Sequence, residues 1–265
     1  MLRQTHSLCL LEHPSDYGQL YKILARYLAE GYAVVYAAEP NPDQVVHRMA
    51  KAGVDVKQYT ENGRLRVERP ESIYTSSNGN LDGTSTIGSW KNIISETLSG
   101  TKAKGVVAIG SVDVFIKHGE RERVIEYEQA IGRKFDTPTE AVCCYRADSL
   151  SDTSASALIA ILNAHQYVFH DNAEYSEWED GKLQSVMTSA FSRVFGTTAS
   201  DLVLKNLKSI YKLDEKSIMS EPEILESVVG KFFKDSSAPI LAAVIKDLKS
   251  EIAFHKQASR LVAPL

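Results

Sequence analysis

The sequence predicts an α/β protein, a mostly parallel sheet domain followed by a small all-α helical bundle. Three observations carry the prediction. Short apolar runs such as Leu8-Cys9-Leu10-Leu11, Ala33-Val34-Val35-Tyr36-Ala37 and Val106-Val107-Ala108-Ile109 recur through residues 1–170. Their alternate positions are all apolar, as in strands covered by helices on both faces. Between them lie segments with apolar residues every three or four positions, the alternation that builds βαβ units. Beyond residue 181 only helical stripes remain.

Taken in order, residues 7–11 form a first strand, broken by Glu12-His13-Pro14-Ser15, and a helix follows over 19–29 with Leu20, Ile23, Leu24, Tyr27 and Leu28 on one face. Residues 32–37 are a second buried strand. Asn41 caps a helix over 42–52, with Pro42 at its first position. Residues 54–59 read as extended, and Asn62-Gly63 turns into a strand at 65–68. Ser, Thr, Asn and Gly then dominate residues 74–89, a composition too polar to fold alone, so this stretch reads as a flexible insertion or a flap. A helix over 90–98, a strand over 105–110 and a charged helix over 120–131 come next. A strand over 139–145, a helix over 155–164 started by Asp152-Thr153-Ser154 and a strand over 167–170 complete the first domain.

The polar, acidic stretch 171–181 marks the boundary between a domain of residues 1–173 and one of residues 181–258. Four helices are expected in the second domain. Their stripes are Leu183, Val186, Met187, Ala190, Phe191 and Val194, then Leu202, Leu204, Leu207 and Ile210. Leu225, Val228, Val229, Phe232 and Phe233 make the third, and Ile240, Ala243, Val244, Leu248 and Ile252 the fourth. Phe191, Phe195, Phe232 and Phe233 read as core, and any stripe left uncovered would serve a partner or a second copy.

Composition narrows the function. A chain of 265 residues with 43% hydrophobic content can bury a substantial core. Net charge is −4, and residues 181–265 carry only 12 Lys and Arg against 9 Asp and Glu, which gives no case for nucleic acid. No apolar run approaches the ~20 residues that span a bilayer. The opening Met1-Leu2-Arg3-Gln4-Thr5-His6 lacks a signal-peptide pattern, so a cytoplasmic protein without a membrane partner is expected. Cys9, Cys143 and Cys144 lack metal-ligand spacing and read as buried free thiols.

The loop after the first strand is where an open α/β fold places a ligand. A phosphate-binding loop needs glycines and a Lys-Ser or Lys-Thr pair there, and this loop offers Glu12 and Asp16. Glu12, His13, Glu39 and Arg146 emerge at the carboxyl edge of the sheet, close enough to share a cavity, where Arg146 would bind a carboxylate or neutralise the two acids. Tyr145 closes its strand beside Arg146, and His165 stands between a helix and the last strand. His6 begins the first strand at the opposite edge. No Ser-His-Asp, Cys-His or metal-ligand set is assembled by local spacing, so no catalytic residues, metal or cofactor are expected.

Several of these segments together resemble a known family. His6-Ser7-Leu8-Cys9-Leu10-Leu11-Glu12, Leu28-Ala29-Glu30-Gly31-Tyr32-Ala33-Val34-Val35-Tyr36, Glu126-Tyr127-Glu128 followed by Ala141-Val142-Cys143-Cys144-Tyr145, and the run from Leu158 through His165 to Val168 resemble the MEDS domain, the sensory domain of DcmR-type regulators of methanogens and methylotrophs. The resemblance implies a three-layer RecA-like or KaiC-like fold whose phosphate loop is degraded. It implies a non-catalytic role in signal transduction, in which a small organic ligand or a signalling protein is sensed and its state passed to an output domain. His6, Glu12, Tyr145 and His165 are the polar positions that match the family, whereas Arg146 stands where an acidic residue is expected and points to an anionic ligand. The last 85 residues resemble small helical output domains of archaeal signalling proteins. The alternatives are a nucleotide-binding protein or atypical ATPase of RecA-like fold, and an oligomeric scaffold that assembles with its own copies.

Overall fold

The computed structural model describes residues 2–75, 79–170, 175–178 and 181–254. Seven strands make one sheet: β1 (His6–Leu11), β2 (Ala33–Ala37), β3 (Leu65–Val67), β4 (Val106–Gly110), β5 (Thr139–Arg146), β6 (Tyr167–Phe169) and β7 (Tyr175–Glu177). Their order is β3-β2-β4-β5-β1-β6-β7. Every pairing is parallel except β6 with β7. The RecA-like α/β sheet with a following all-α segment is therefore the fold of this chain, and the buried apolar runs are its central strands.

Side chains alternate between two helical layers, as the pleat requires. On one face Cys9, Leu11, Val34, Tyr36, Val107, Ile109 and Cys144 pack with α1 (Asp16–Ala29) and α2 (Pro42–Lys51). On the other, Leu8, Leu10, Cys143 and Tyr145 pack with α7 (Arg121–Ile131) and α8 (Ala155–Ala164). Also on that side, α5 (Gly83–Gly100) sets Trp90, Ile93, Ile94 and Leu98 against Ala33, Val35 and Val106. Short helices α3 (Val56–Glu61), α4 (Pro70–Tyr74) and α6 (Asp113–Lys117) fill the connections.

Three local expectations change. Residues 54–59 are not extended: the Asp55 carboxylate accepts the Gln58 N–H and starts α3, a cap that outweighs the β-propensity of Val54, Val56 and Tyr59. The Ser/Gly-rich stretch is helical from Gly83, because Asp82 caps Ser85 and the buried Thr86 hydroxyl donates to the Tyr74 carbonyl. Residues 76–78 of that stretch lie outside the described residues. The polar boundary at 171–181 contains β7, which extends the sheet, while 171–174 and 179–180 are outside the described residues.

The C-terminal segment holds five described α-helices, not four: α9 (Lys182–Phe195), α10 (Thr197–Tyr211), α11 (Glu215–Ser220), α12 (Glu223–Phe233) and α13 (Ser237–Ile252). The added helix, α11, opens with a reciprocal capping box between Asp214 and Ser217. The stripe on α10 is only partly used. Leu207 is buried, but α10 lies outside against α9, so Leu202 and Ile210 face solvent. Phe232 is exposed as well, while Phe191 is buried and Phe195 stacks on Phe233 with ring centres 5.2 Å apart.

These helices dock on the sheet domain through α8. Leu158, Ile159, Ile161 and Leu162 of α8 share one apolar cluster with Leu225, Val228, Val229, Val244 and Leu248. After α13 the chain reaches the carboxyl half of β1. Short β6 pairs only with Ser7 and Leu8, which leaves the Leu10 carbonyl to accept the Phe254 N–H at 3.1 Å. The buried Phe254 ring then joins Phe169 on the α1 side of the sheet. Among the described residues, no helix is long and apolar enough to cross a membrane.

Candidate functional site

At the carboxyl edge, Glu12, His13, Glu39 and Arg146 line one cleft of about 510 Å³, together with Arg48, Asp113, Lys117 and Asp148. The chain itself satisfies several of the charged groups at this cleft. The buried Asp16 carboxylate, at the first position of α1, accepts the backbone N–H groups of Glu12 at 2.8 Å and His13 at 2.9 Å. An internal carboxylate thus stands against the amides of the first turn, and it repels any phosphate brought to them. Glu39 is neutralised by Arg48 and accepts the hydroxyls of Tyr21 and Tyr36. Arg146 does not pair with Glu12 or Glu39 as the sequence suggested. Its guanidinium binds Asp148 two residues on, at 3.0 and 2.7 Å, and Lys117 approaches the same carboxylate at 3.3 Å.

Tyr145 and His165 do not reach this cleft. Tyr145 is on the opposite side of β5 from Cys144, and its hydroxyl donates to Glu128 of α7 in the interior. There the fold gathers a second group, His6, Glu128, Cys143 and His165, whose donor atoms all lie within 4.8 Å of one another and all of which are buried. Each comes from a different element. His6 opens β1, Glu128 lies on α7, Cys143 is in the middle of β5, and His165 caps the C-terminus of α8.

The group is oriented from outside. His6 Nδ1 faces the Ala164 carbonyl at 3.3 Å and His165 Nδ1 faces the Ile161 carbonyl at 2.7 Å. A carbonyl only accepts, so both Nδ1 atoms carry a proton and both Nε2 atoms point into the cluster. His6 Nε2 lies 3.0 Å from Cys143 Sγ and 3.2 Å from Glu128 Oε2, and Cys143 Sγ is 3.4 Å from the same oxygen. His165 Nε2 is 3.7 Å from Glu128 Oε2 and has no hydrogen-bond partner.

Burial by itself would raise the Glu128 carboxyl, but the hydrogen bond from His6, the charges of His165 and His6 and the Tyr145 hydroxyl outweigh it and bring it down to about 2. Burial, then repulsion from His6, pushes His165 down to about 3. Burial, then the Glu128 charge, pushes the Cys143 thiol well up. Near neutrality the cluster therefore sets an ionised carboxylate opposite the bare lone pair of a neutral imidazole.

Beside the cluster lies a cavity of about 720 Å³ between α5, α7 and the sheet. Trp90, Ile94, Leu98, Tyr127 and Phe135 make much of its lining, and Cys143 is the member of the cluster that also borders it. Gly110 at the end of β4 shapes its floor, since a Cβ there would overlap the Tyr74 hydroxyl.

The sequence singled out His6, Tyr145 and His165 but assigned no metal set. It gave no role to Glu128 and treated Cys143 as an inert thiol. The missed signal is that Cys143 and Tyr145 are two apart on β5, hence on one face, and both meet the single buried carboxylate of the Glu126-Tyr127-Glu128 run.

A family model described as MEDS, the methanogen/methylotroph, DcmR sensory domain, matches residues 5–166. No curated protein matches the chain. Among solved structures, a KaiC-like protein from the hyperthermophilic archaeon Pyrococcus horikoshii OT3 is similar over 54% of this chain and 62% of that one, with 12% identity and a TM-score of 0.40. This chain thus spans under two thirds of that relative's length. An ATP synthase subunit from Nanoarchaeum equitans is similar over 93% of this chain and 75% of that one, with 9% identity and a TM-score of 0.42.

Proposed function

Because this chain belongs to the MEDS family of sensory domains, we propose that it is a non-catalytic signal receptor whose small organic ligand enters the apolar cavity beside Cys143. The observation that carries this reading is the cavity itself. Its volume of about 720 Å³ is that of a small-molecule site, and an aromatic and aliphatic wall with one buried thiol at its edge suits an apolar or weakly polar molecule. The carboxyl-edge cleft is the weaker candidate, because Asp148 already holds Arg146 and Arg48 already holds Glu39.

The geometry also supports a route for the signal. His165 belongs to the cluster and terminates α8, and α8 touches the C-terminal helices. The Asn163 amide donates to the Met219 carbonyl at 2.9 Å, and Glu226 of α12 accepts the Ser156 N–H at 3.1 Å. In this reading residues 1–173 receive the signal, the C-terminal helices report it, and the exposed Leu202, Ile210 and Phe232 offer those helices a surface for a signalling partner or a second copy.

Thermal-shift titration of the whole chain with small organic molecules tests the assignment, since a ligand that binds only the folded state raises its melting temperature. Ile94→Trp, which fills the cavity from α5, is expected to abolish the shift, and Arg146→Ala at the other cleft to leave it intact. The opposite pattern would move the receptor site to the carboxyl edge.

A further inference from the structure

We infer that His6, Glu128, Cys143 and His165 form a binding site for one divalent first-row transition-metal ion of the zinc type. Four observations carry this inference. The first is the donor set, two imidazole nitrogens, a sulfur and a carboxylate oxygen, which matches the preferences of such ions and not those of magnesium or calcium. The second is spacing. Bonds of about 2.0–2.3 Å to a tetrahedral ion separate neighbouring donors by about 3.3–3.8 Å. Four of the six donor pairs are 3.0, 3.2, 3.4 and 3.7 Å apart and all six lie within 4.8 Å, so side-chain rotations suffice to admit the ion.

The third is the outer shell. Both imidazoles give their Nδ1 proton to a backbone carbonyl, and Tyr145 donates to the Glu128 oxygen that faces away from the cluster. These are the contacts that fix metal-binding histidines and carboxylates in the ligating orientation. The fourth is His165 Nε2, fully buried and without a partner, aimed at the Glu128 carboxylate. Two acceptors facing each other in a dry interior repel, and a cation between them removes the repulsion.

Charge closes the case. Binding breaks the Cys143 S–H bond and forms a sulfur–metal bond, and the thiol proton leaves for solvent together with the Nε2 proton with which His6 bonds Glu128. A divalent ion is then balanced by one thiolate and one carboxylate, with two neutral imidazoles, so the buried site carries no net charge. The cavity bordered by Cys143 supplies the entry path. The inference does not rest on an organic ligand, and its test uses none.

The whole chain, stripped with a chelator, is titrated with Co²⁺ alone and then with Zn²⁺, followed by absorption. One equivalent of Co²⁺ is expected to give intense visible bands of a four-coordinate ion and a near-ultraviolet sulfur-to-cobalt band, both erased by Zn²⁺. Cys143→Ser is expected to lose the sulfur band. Cys144→Ser, altered on the other face of the same strand, keeps both and controls for folding. Zn²⁺ is also expected to raise the melting temperature of the unaltered chain and of Cys144→Ser. A weak, six-coordinate spectrum with no thermal shift in the unaltered chain overturns the inference. So does a sulfur band that survives Cys143→Ser.

Discussion

Asp16 closes the first turn on Glu12: its Oδ2 accepts the Glu12 N–H at 2.8 Å while the carboxylate lies fully buried. In a phosphate-binding loop those amides face the ligand; here the chain supplies its own anion. Asp16→Ala is expected to strip two partly buried N–H groups of their acceptor and lower the unfolding free energy by about 1–3 kcal/mol in chemical denaturation. Calorimetry with millimolar magnesium-ATP is expected to show no binding heat in either form. Saturable heat in the unaltered chain would restore the nucleotide reading.

Gly110 and Tyr74 define the cavity floor together. Gly110→Ala puts a methyl group into the Tyr74 hydroxyl, and overpacking of this kind costs about 1–3 kcal/mol. Adding Tyr74→Phe removes the hydroxyl and leaves the ring carbon 3.2 Å from the new Cβ, so the double variant is expected to recover part of the loss. Equal denaturation midpoints for the single and double variants would show that the hydroxyl is not the obstacle.

Tyr145 is a positioning residue, because it touches Glu128 and not the proposed ion. Losing a contact of that type lowers metal affinity about 10- to 100-fold. Tyr145→Phe should therefore weaken Co²⁺ binding by that factor while keeping the sulfur-to-cobalt band. An unchanged affinity would assign the hydroxyl a purely structural role.

Metal affinity should also depend on pH in a determinate direction. Burial, then Glu128, pushes the Cys143 thiol well up, so it is protonated near neutrality and must give up its proton to bind. His165, held down at about 3, keeps its Nε2 bare there. Expelling the thiol proton makes Co²⁺ affinity rise by at least about tenfold per pH unit across the neutral range. A flat profile would exclude thiolate ligation.

The helical segment and the sheet share core residues, and Phe254 lies wholly inside the sheet domain. Phe254→Ala is expected to cost about 3–5 kcal/mol. The whole chain should melt in one transition by calorimetry, and two separated transitions would show that the sheet and helical segments unfold independently.

How much was legible follows from what each feature depends on. Central strands announce themselves because burial on both faces leaves unbroken apolar runs, so β1, β2, β4 and β5 are readable directly. α5 hid its first turn because Gly83, Thr84 and Ser85 have weak helix propensity, and only the Asp82 cap with the Thr86–Tyr74 bond overrides it. The stripe on α10 misled for another reason: periodicity shows that a face is apolar but not that another element covers it. Glu12, Glu39 and Arg146 line one cleft because a parallel sheet sends strand ends to one edge. The buried quartet escaped notice because its members span residues 6 to 165 and meet only through the order β5-β1 and the packing of two helices.

Strand β1 carries His6 at its first position and holds the Phe254 backbone at Leu10, near its last. It is clamped between β5 and β6, where a one-residue slip would turn every side chain to the wrong layer. One strand thus joins the imidazole cluster to the seat of the C-terminal segment, less than one strand's length away, with no loop between them.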